Sequence, residues 1–432
     1  KKFAKKEDIL ISVRAPVGPT NLAPNRCCIG RGLAAIRPLG GLSERFVLYQ
    51  LRARVDELAG EGRGVTFKAI RKKDLTSWYT RVAPLPEQRR IVDKIEELFS
   101  ELDAGVEALE RAQKRLERYR ASVLQAAVEG RLTERWRAEN PPEETGEELL
   151  ERILAERRKR WEEEYRAKYE EKGKKPPKGW KDRYKEPEGP DTSELSKLPE
   201  GWCWATLEQV IASGPQNGLY LPQNAYGSGI PIFRIDDFQM DWSRPASDLR
   251  RADAGSDDIA KYSVELDDII LNRVNSPSHL GKCFVVEGRH TPAVFESNMM
   301  RFGVVDLLDP HFVVSWLSST AGREHLLKDA KWAVNQASVN QGDVGRTPLP
   351  VPTLREQREI VRQIHQVLSM QTAVTKELES LRAAGLRLRS TILKRAFEGR
   401  LVPQDPSDEP ASALLERIQT ERDGSSQQSL DD

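Results

Sequence analysis

The sequence predicts an α+β protein made of two globular modules, the first one partial, separated by two long helices that form an antiparallel coiled coil. Three observations support this. One stretch of the chain occurs twice, both copies carry a sustained seven-residue apolar spacing, and short β-rich runs precede each copy. Length and composition fit: 432 residues, 38% hydrophobic and 31% charged, allow two or three domains with modest cores and a large solvated surface.

The repeat is the strongest signal. Glu87-Gln88-Arg89-Arg90-Ile91-Val92 returns as Glu356-Gln357-Arg358-Glu359-Ile360-Val361, an offset of 269 residues. The same offset carries Glu129-Gly130-Arg131-Leu132 onto Glu398-Gly399-Arg400-Leu401. Between these anchors the copies align without a gap, and 18 of 46 positions are identical. A further echo, Leu149-Leu150-Glu151-Arg152-Ile153 against Leu414-Leu415-Glu416-Arg417-Ile418, follows at offset 265.

Each copy predicts one helix. In the first, Ile95, Leu98, Leu102, Leu109, Ala112, Leu116, Tyr119 and Val123 alternate in steps of three and four, with Gly105 at the missing place. In the second, Ile364, Val367, Val374, Leu378, Leu381, Leu388 and Ile392 do the same, with gaps at Gln371 and Gly385. Such a heptad predicts a coiled-coil seam, and Gly130 and Gly399 are natural helix stops. A helix from residue 87 to 129 is about 65 Å long at 1.5 Å per residue.

The rest divides by composition. Residues 1–83 and 200–352 are the globular parts, 84–133 and 353–402 the helical segments, 134–199 a charged linker and 403–432 a polar tail. Ile230-Pro231-Ile232-Phe233, Asp268-Ile269-Ile270-Leu271 and Lys282-Cys283-Phe284-Val285-Val286 read as strands between turns, and one helix is expected from His311 to Lys328. In the first module Asp8-Ile9-Leu10-Ile11 and Arg45-Phe46-Val47-Leu48 echo Asp268–Leu271 and His311–Val314. A complete duplication would begin about 69 residues before Lys1, so the first globular part reads as truncated. The linker holds 18 Asp/Glu and 17 Lys/Arg in 66 residues, and 147–169 reads as an exposed helix ended by Lys174-Lys175-Pro176-Pro177.

Charge is uneven. The chain carries +1 overall, but residues 1–83 hold 17 Lys/Arg against 7 Asp/Glu, and residues 200–350 hold 13 against 19. The first region suits a phosphate partner, whereas the second needs local clustering to do so. No apolar run reaches the roughly 18 residues of a membrane span, and the basic start lacks the apolar segment of a signal peptide. Cys27, Cys28, Cys203 and Cys283 form no C-x-x-C pair, and the five histidines show no metal spacing. No phosphate-binding G-x-x-x-x-G-K-[ST] occurs. Asn140-Pro141-Pro142-Glu143 resembles the start of an amino-methyltransferase motif, but Glu143 stands where an aromatic ring must stack on a flipped base.

Leu198-Pro199-Glu200-Gly201-Trp202 opens the second globular region. Proline-rich approaches, Pro84-Leu85-Pro86 and Pro348-Leu349-Pro350-Val351-Pro352, lead into Glu-Gln-Arg and a helix closing on Glu-Gly-Arg-Leu. This pattern resembles the specificity (HsdS) subunit of type I restriction–modification systems over nearly the whole chain. The resemblance implies two target-recognition domains, each reading one half of a bipartite DNA site, with the helices setting the spacing. It also implies partners: double-stranded DNA, methyltransferase subunits, and restriction/translocase subunits in a prokaryotic cytoplasm, with no membrane. S-adenosylmethionine, ATP and Mg then belong to those partners; this chain is expected to hold no cofactor and to have no catalytic residues or metal site of its own. The alternative is a coiled-coil protein scaffold without DNA binding. A fused enzyme would need the phosphate loop or cofactor-binding sheet that the sequence lacks.

Candidate DNA contacts follow from residue type. Lys68, Arg71, Lys72 and Lys73 form the tightest basic cluster of the first domain and suit phosphates. Asn335, Gln336 and Asn340 lie in the matching stretch of the second, where amides can bond adenine edges or hold a turn. Asn272, Arg273, Asn275, Ser276 and His279 follow an expected strand and are placed on a loop, and Asn217 and Tyr220 sit in a Gly-containing loop.

Overall fold

The computed structural model describes all residues except 1, 15, 55–56, 58–69, 240–241, 277–278, 334–335 and 432. Two long helices dominate, Leu85–Val128 and Leu354–Phe397, each of 44 residues. Both close in the same way. Gly130 and Gly399 take left-handed conformations, φ 70° and 72°. Arg131 N–H donates to Ala126 and Gly130 N–H to Ala127, as Arg400 does to Arg395 and Gly399 to Ala396. These paired bonds satisfy the carbonyls that a helix end otherwise leaves bare. Gly130 is required for space as well, because a Cβ there would lie 2.5 Å from Pro199 and 3.1 Å from Trp202.

The chain forms two compact units, Lys1–Lys114 with Val374–Asp432, and Arg115–Ala373. Within each unit the helical segments run antiparallel. In the first, Asp103 pairs with Arg389 and Glu110 with Arg382. In the second, Gln371 Nε2 donates to the Leu116 carbonyl at 3.3 Å, and Leu124, Ala127 and Val128 share a core with Ile360, Val361 and Ile364.

In the second long helix the seam is displaced from the predicted one. Ile364, Gln371, Leu378, Gly385 and Ile392 are buried or half-buried as expected, but alternate with Leu368, Thr375 and Arg389, not with Val374, Leu381 and Leu388. Val374, Leu381 and Leu388 are 46%, 47% and 47% exposed. In the first helix the predicted row largely holds, Ile95 and Val123 being buried and Leu98, Leu102, Leu109, Ala112 and Leu116 half-buried; the departure is Tyr119, 54% exposed, beside half-buried Arg120. Spacing alone fixes the period of a stripe, not which of two adjacent rows the partner covers.

In the first unit a three-stranded antiparallel sheet, ordered Thr20–Leu22, Ile9–Ser12, Leu33–Ile36, packs with helix Glu44–Ala53. Ile9, Ile11, Phe46 and Leu51 form a core with Ile91, Ile95, Ile392 and Phe397. The expected polar tail is helical over Ala411–Asp431.

The second unit repeats and extends this plan. Its main antiparallel sheet is ordered Cys283–Val285, Ile269–Asn272, Met299–Val304, Ile211–Asn217. The turn entering the central strand is the same in both units. Lys5 N–H donates to Asp8 Oδ2 and Glu265 N–H to Asp268 Oδ2, both at 2.7 Å, with Glu7 and Asp267 at φ 69° and 65°. The helix expected from 311 to 328 is two, Pro310–Ser318 and Thr320–Leu327, because the Ser319 hydroxyl caps the second by accepting from Gly322 N–H. The linker helix runs Gly146–Glu170 and is not wholly exposed: Leu149 and Ile153 are buried in the core of this unit.

Candidate nucleic-acid interface

Two neighbours of the central strand Met299–Val304 bring the candidate loops of the second unit to one end of its sheet. Asn217 lies opposite Met300, and Asn272 opposite Met299. Both strands end there, so residues 218–220 and 273–276 leave the sheet side by side. After Asn272 the chain peels away, with Arg273 and Val274 N–H both donating to the Asn298 carbonyl. It re-pairs as Val274–Asn275 in a three-stranded ribbon with Gln336–Ser338 and Lys331–Ala333. Two candidate clusters about sixty residues apart in sequence thus share one ribbon. Asn275, Ala337 and Trp332 lie directly across from one another and therefore on one face. Ala337 is buried, Trp332 is 58% exposed, and Lys331 and Gln336 are exposed.

The individual candidates differ in what they can offer. Gln336, Asn217 and Tyr220 are exposed, Tyr220 by 81%. Ser276 Oγ lies 3.1 Å from His279 Nδ1, and Asn275 Oδ1 accepts from Ser276 N–H at 2.7 Å. The loop placement of Asn272 is corrected: it is a strand residue, 1% exposed, beyond the reach of a base. Arg273 is half-buried and donates to the Ser297 carbonyl at 3.0 Å, so its guanidinium braces the ribbon. Asn340 caps helix Gln341–Arg346, its Oδ1 accepting from Gly342 and Asp343 N–H at 2.8 and 3.1 Å. This is the turn role weighed above, and it commits the amide oxygen.

In the first unit Arg71 holds the same position, before helix Lys72–Thr76, and its N–H donates to Asp74 Oδ2 at 2.7 Å as Asn340 N–H does to Asp343 at 2.8 Å. Arg71 and Lys73 are exposed. Lys68, Asn335 and the side chain of Lys72 lie outside the described residues. Trp332 and Lys331 were missed from sequence. The available signal was a tryptophan in a polar stretch, Lys331-Trp332-Ala333-Val334-Asn335-Gln336, with no apolar periodicity to place it in a core.

Cations reinforce this end of the sheet. The Lys282 carbonyl accepts from Asn272 N–H at 2.8 Å, and its Nζ donates to Gln239 Oε1 at 2.6 Å. Burial, then the nearby Arg323 charge, pushes the Lys282 ammonium below its ordinary range. An approaching anion would relieve that strain. Among the described residues no group of three or more His, Cys, Asp or Glu is placed to hold a metal. Burial pushes the Cys203 thiol up to about 12, which keeps it protonated and unreactive at neutral pH.

The family model described as the type I restriction modification DNA specificity domain matches residues 1–111 and 199–381. The chain belongs to that family. Among its relatives, the EcoDI specificity subunit of Escherichia coli is 25% identical over 405 residues, spanning 88% of this chain and 77% of that one. The EcoKI specificity subunit of Escherichia coli (strain K12) is 22% identical over 435 residues, spanning 96% and 81%. A solved structure described as the structural basis of complex assembly and conformational transition of the type I R-M system matches with TM-score 0.61 at 20% identity, covering 93% of this chain and 84% of that one. This last likeness concerns the fold. The family's two matched segments are the two globular parts with portions of the long helices that follow them, so the internal repeat of this chain is the repeat of its specificity domain.

Proposed function

We propose that this chain selects a bipartite DNA sequence for a type I restriction–modification complex. Each globular module reads one half-site, and the helices set their spacing and receive methyltransferase subunits. The observation that carries the reading is the duplication, seen in sequence and again in turn, cap and helix geometry. One chain with two like modules suits one target with two separated halves. The ribbon supplies reading chemistry: a β-ribbon is among the elements that the major groove admits, and Gln336 presents an amide of the kind that bonds adenine. Each helix, about 66 Å long, compares with two turns of duplex at about 34 Å each.

The heptad row Val374, Leu381 and Leu388 supports the partner role. Three large aliphatic side chains, each nearly half exposed on one helix, form a stripe that a helical partner can cover. We assign that partner as the methyltransferase subunits, with a restriction/translocase subunit completing the complex in a prokaryotic cytoplasm. S-adenosylmethionine, ATP and Mg act in those subunits, and catalysis is theirs. No helix among the described residues is long and apolar enough to cross a membrane.

The test is selection of bound duplexes from a random pool by the chain complexed with its methyltransferase subunits. Enrichment of two short specified blocks at a fixed separation is expected. Enrichment of nothing, by a complex that forms normally, would favour the scaffold reading.

A further inference from the structure

Between the first long helix and the second recognition domain the linker folds into an arm whose charge is sorted along its length. The arm is anchored at its root by buried Leu149 and Ile153 and by Arg157 donating to the Ile211 carbonyl. Helix Gly146–Glu170 runs outward and the chain turns at Gly173, φ 62°, with Lys174 N–H donating to the Tyr169 carbonyl at 2.8 Å. The returning segment is held by ring stacking. Trp180 lies 5.2 Å from Tyr165 at 11° between planes and 5.9 Å from Trp161 at 25°. Lys181 pairs with Glu162 at 2.7 Å, and Arg183 donates to the Tyr165 hydroxyl at 3.2 Å. The tip is thus a braced hairpin.

Residues 143–165 hold nine Asp/Glu against five Lys/Arg, a balance of −4, whereas the outer end, residues 166–178, holds six Lys/Arg against two Asp/Glu, a balance of +4. A merely solvated face mixes its signs, and this one separates them. Arg166, Lys168, Lys172, Lys174, Lys175 and Lys178 are exposed, and no ion pair engages them among the described residues. The tip shows no large exposed apolar side chain. Protein interfaces are depleted in lysine and centred on apolar side chains. Clustered flexible point charges without an apolar centre fit a row of phosphates instead.

We infer that the tip of this arm grips the phosphate backbone of duplex DNA without reading bases, a contact additional to the recognition domains. The inference rests on the DNA-binding reading above. The test uses the full chain with its methyltransferase subunits and compares wild type with the triple variant Lys174→Gln, Lys175→Gln, Lys178→Gln. Binding is measured from 50 to 200 mM salt on a duplex of arbitrary sequence and on the selected target duplex. Each lost phosphate contact lowers the slope of log affinity against log salt by about 0.9, so the variant's slope falls by about 2.7 on both duplexes. Its affinity at 100 mM salt drops at least about tenfold. Target preference, the ratio between the two duplexes, is retained. An unchanged slope with target preference intact overturns the arm contact and leaves the recognition reading standing. Unchanged DNA binding with loss of co-purifying methyltransferase also overturns it, reassigning the tip to a protein partner. A reduced slope in a complex that prefers no sequence supports the arm and sinks the recognition reading.

Discussion

Gln88 and Gln357 make the same pair of hydrogen bonds in the two copies of the module. Gln88 Oε1 accepts from Ser43 N–H at 3.1 Å and its Nε2 donates to the Ala83 carbonyl at 2.7 Å. Gln357 Oε1 accepts from Asp309 N–H and its Nε2 donates to the Pro352 carbonyl, both at 2.8 Å. Both side chains are fully buried. Ser43 and Asp309 each cap the helix that packs beside the long helix, so one amide fastens the cap residue to the approach segment. Gln88→Leu or Gln357→Leu strands two backbone groups that are at least partly buried. Each is expected to cost about 2–4 kcal/mol. Hydrogen exchange of the affected unit measures it, and a loss under about 1 kcal/mol would refute this role.

Glu356, 4% exposed, collects three donors: Trp202 Nε1 at 2.9 Å, Thr133 Oγ1 at 2.7 Å and Arg137 Nε at 2.9 Å. It ties the second long helix to the end of the first and to the start of the recognition domain. Glu356→Ala leaves the buried Trp202 and Thr133 donors without an acceptor and half-buried Arg137 without its counter-charge, and is expected to cost about 2–4 kcal/mol. Faster amide exchange over 129–137 and 202–206 is the signature. Protection unchanged there would contradict the assignment.

The matched turns predict opposite pH behaviour. Arg37 holds Asp8 below the usual carboxylate range, donating at 2.7 and 2.6 Å. That stabilisation is complete above about pH 3.9, the unfolded value, and is lost as pH falls through the lower folded value. Burial outweighs Arg301 and raises Asp268, so its carboxylate costs stability at pH 7, a cost relieved as pH falls through the raised value. Asp8→Asn is expected to cost about 1–2 kcal/mol at pH 7, discounted for the half-exposed Arg37, and progressively less as pH falls through the lowered Asp8 value. Asp268→Asn costs less at pH 7. Carboxyl-carbon NMR titration of the two residues checks both signs.

Replacing Val374, Leu381 and Leu388 together by Gln removes the stripe without touching the seam. Methyltransferase binding is expected to weaken tenfold or more, with the chain's own thermal unfolding shifted by only a degree or two. Unaltered capture of the methyltransferase would place its docking surface elsewhere.

Much of the fold was legible because it is written twice. The repeat gave two helices of equal length, and Gly130 and Gly399 gave their ends. The buried row was only half legible, since the apolar letters Val374, Leu381 and Leu388 outscore their neighbours Thr375 and Arg389, although the latter are the more buried. The candidate interface was legible only in pieces. Gln336 and Asn275 look unrelated in sequence until pairing through Ala337 joins their strands. Asn272 looked like a loop residue because polar side chains rarely end a fully buried strand. Trp332 had no pattern around it, because exposure depends on a ribbon made by long-range pairing.

The most direct test maps methylated adenines in cells expressing the chain with its methyltransferase subunits, then repeats the map with Trp332→Ala and Gln336→Ala together. A bipartite motif is expected in the first map. In the second, one half of that motif is relaxed or lost and the other half is retained. A motif unchanged by the substitutions, and unchanged again when residues 200–350 are replaced by the equivalent domain of another specificity subunit, would contradict sequence recognition by this chain.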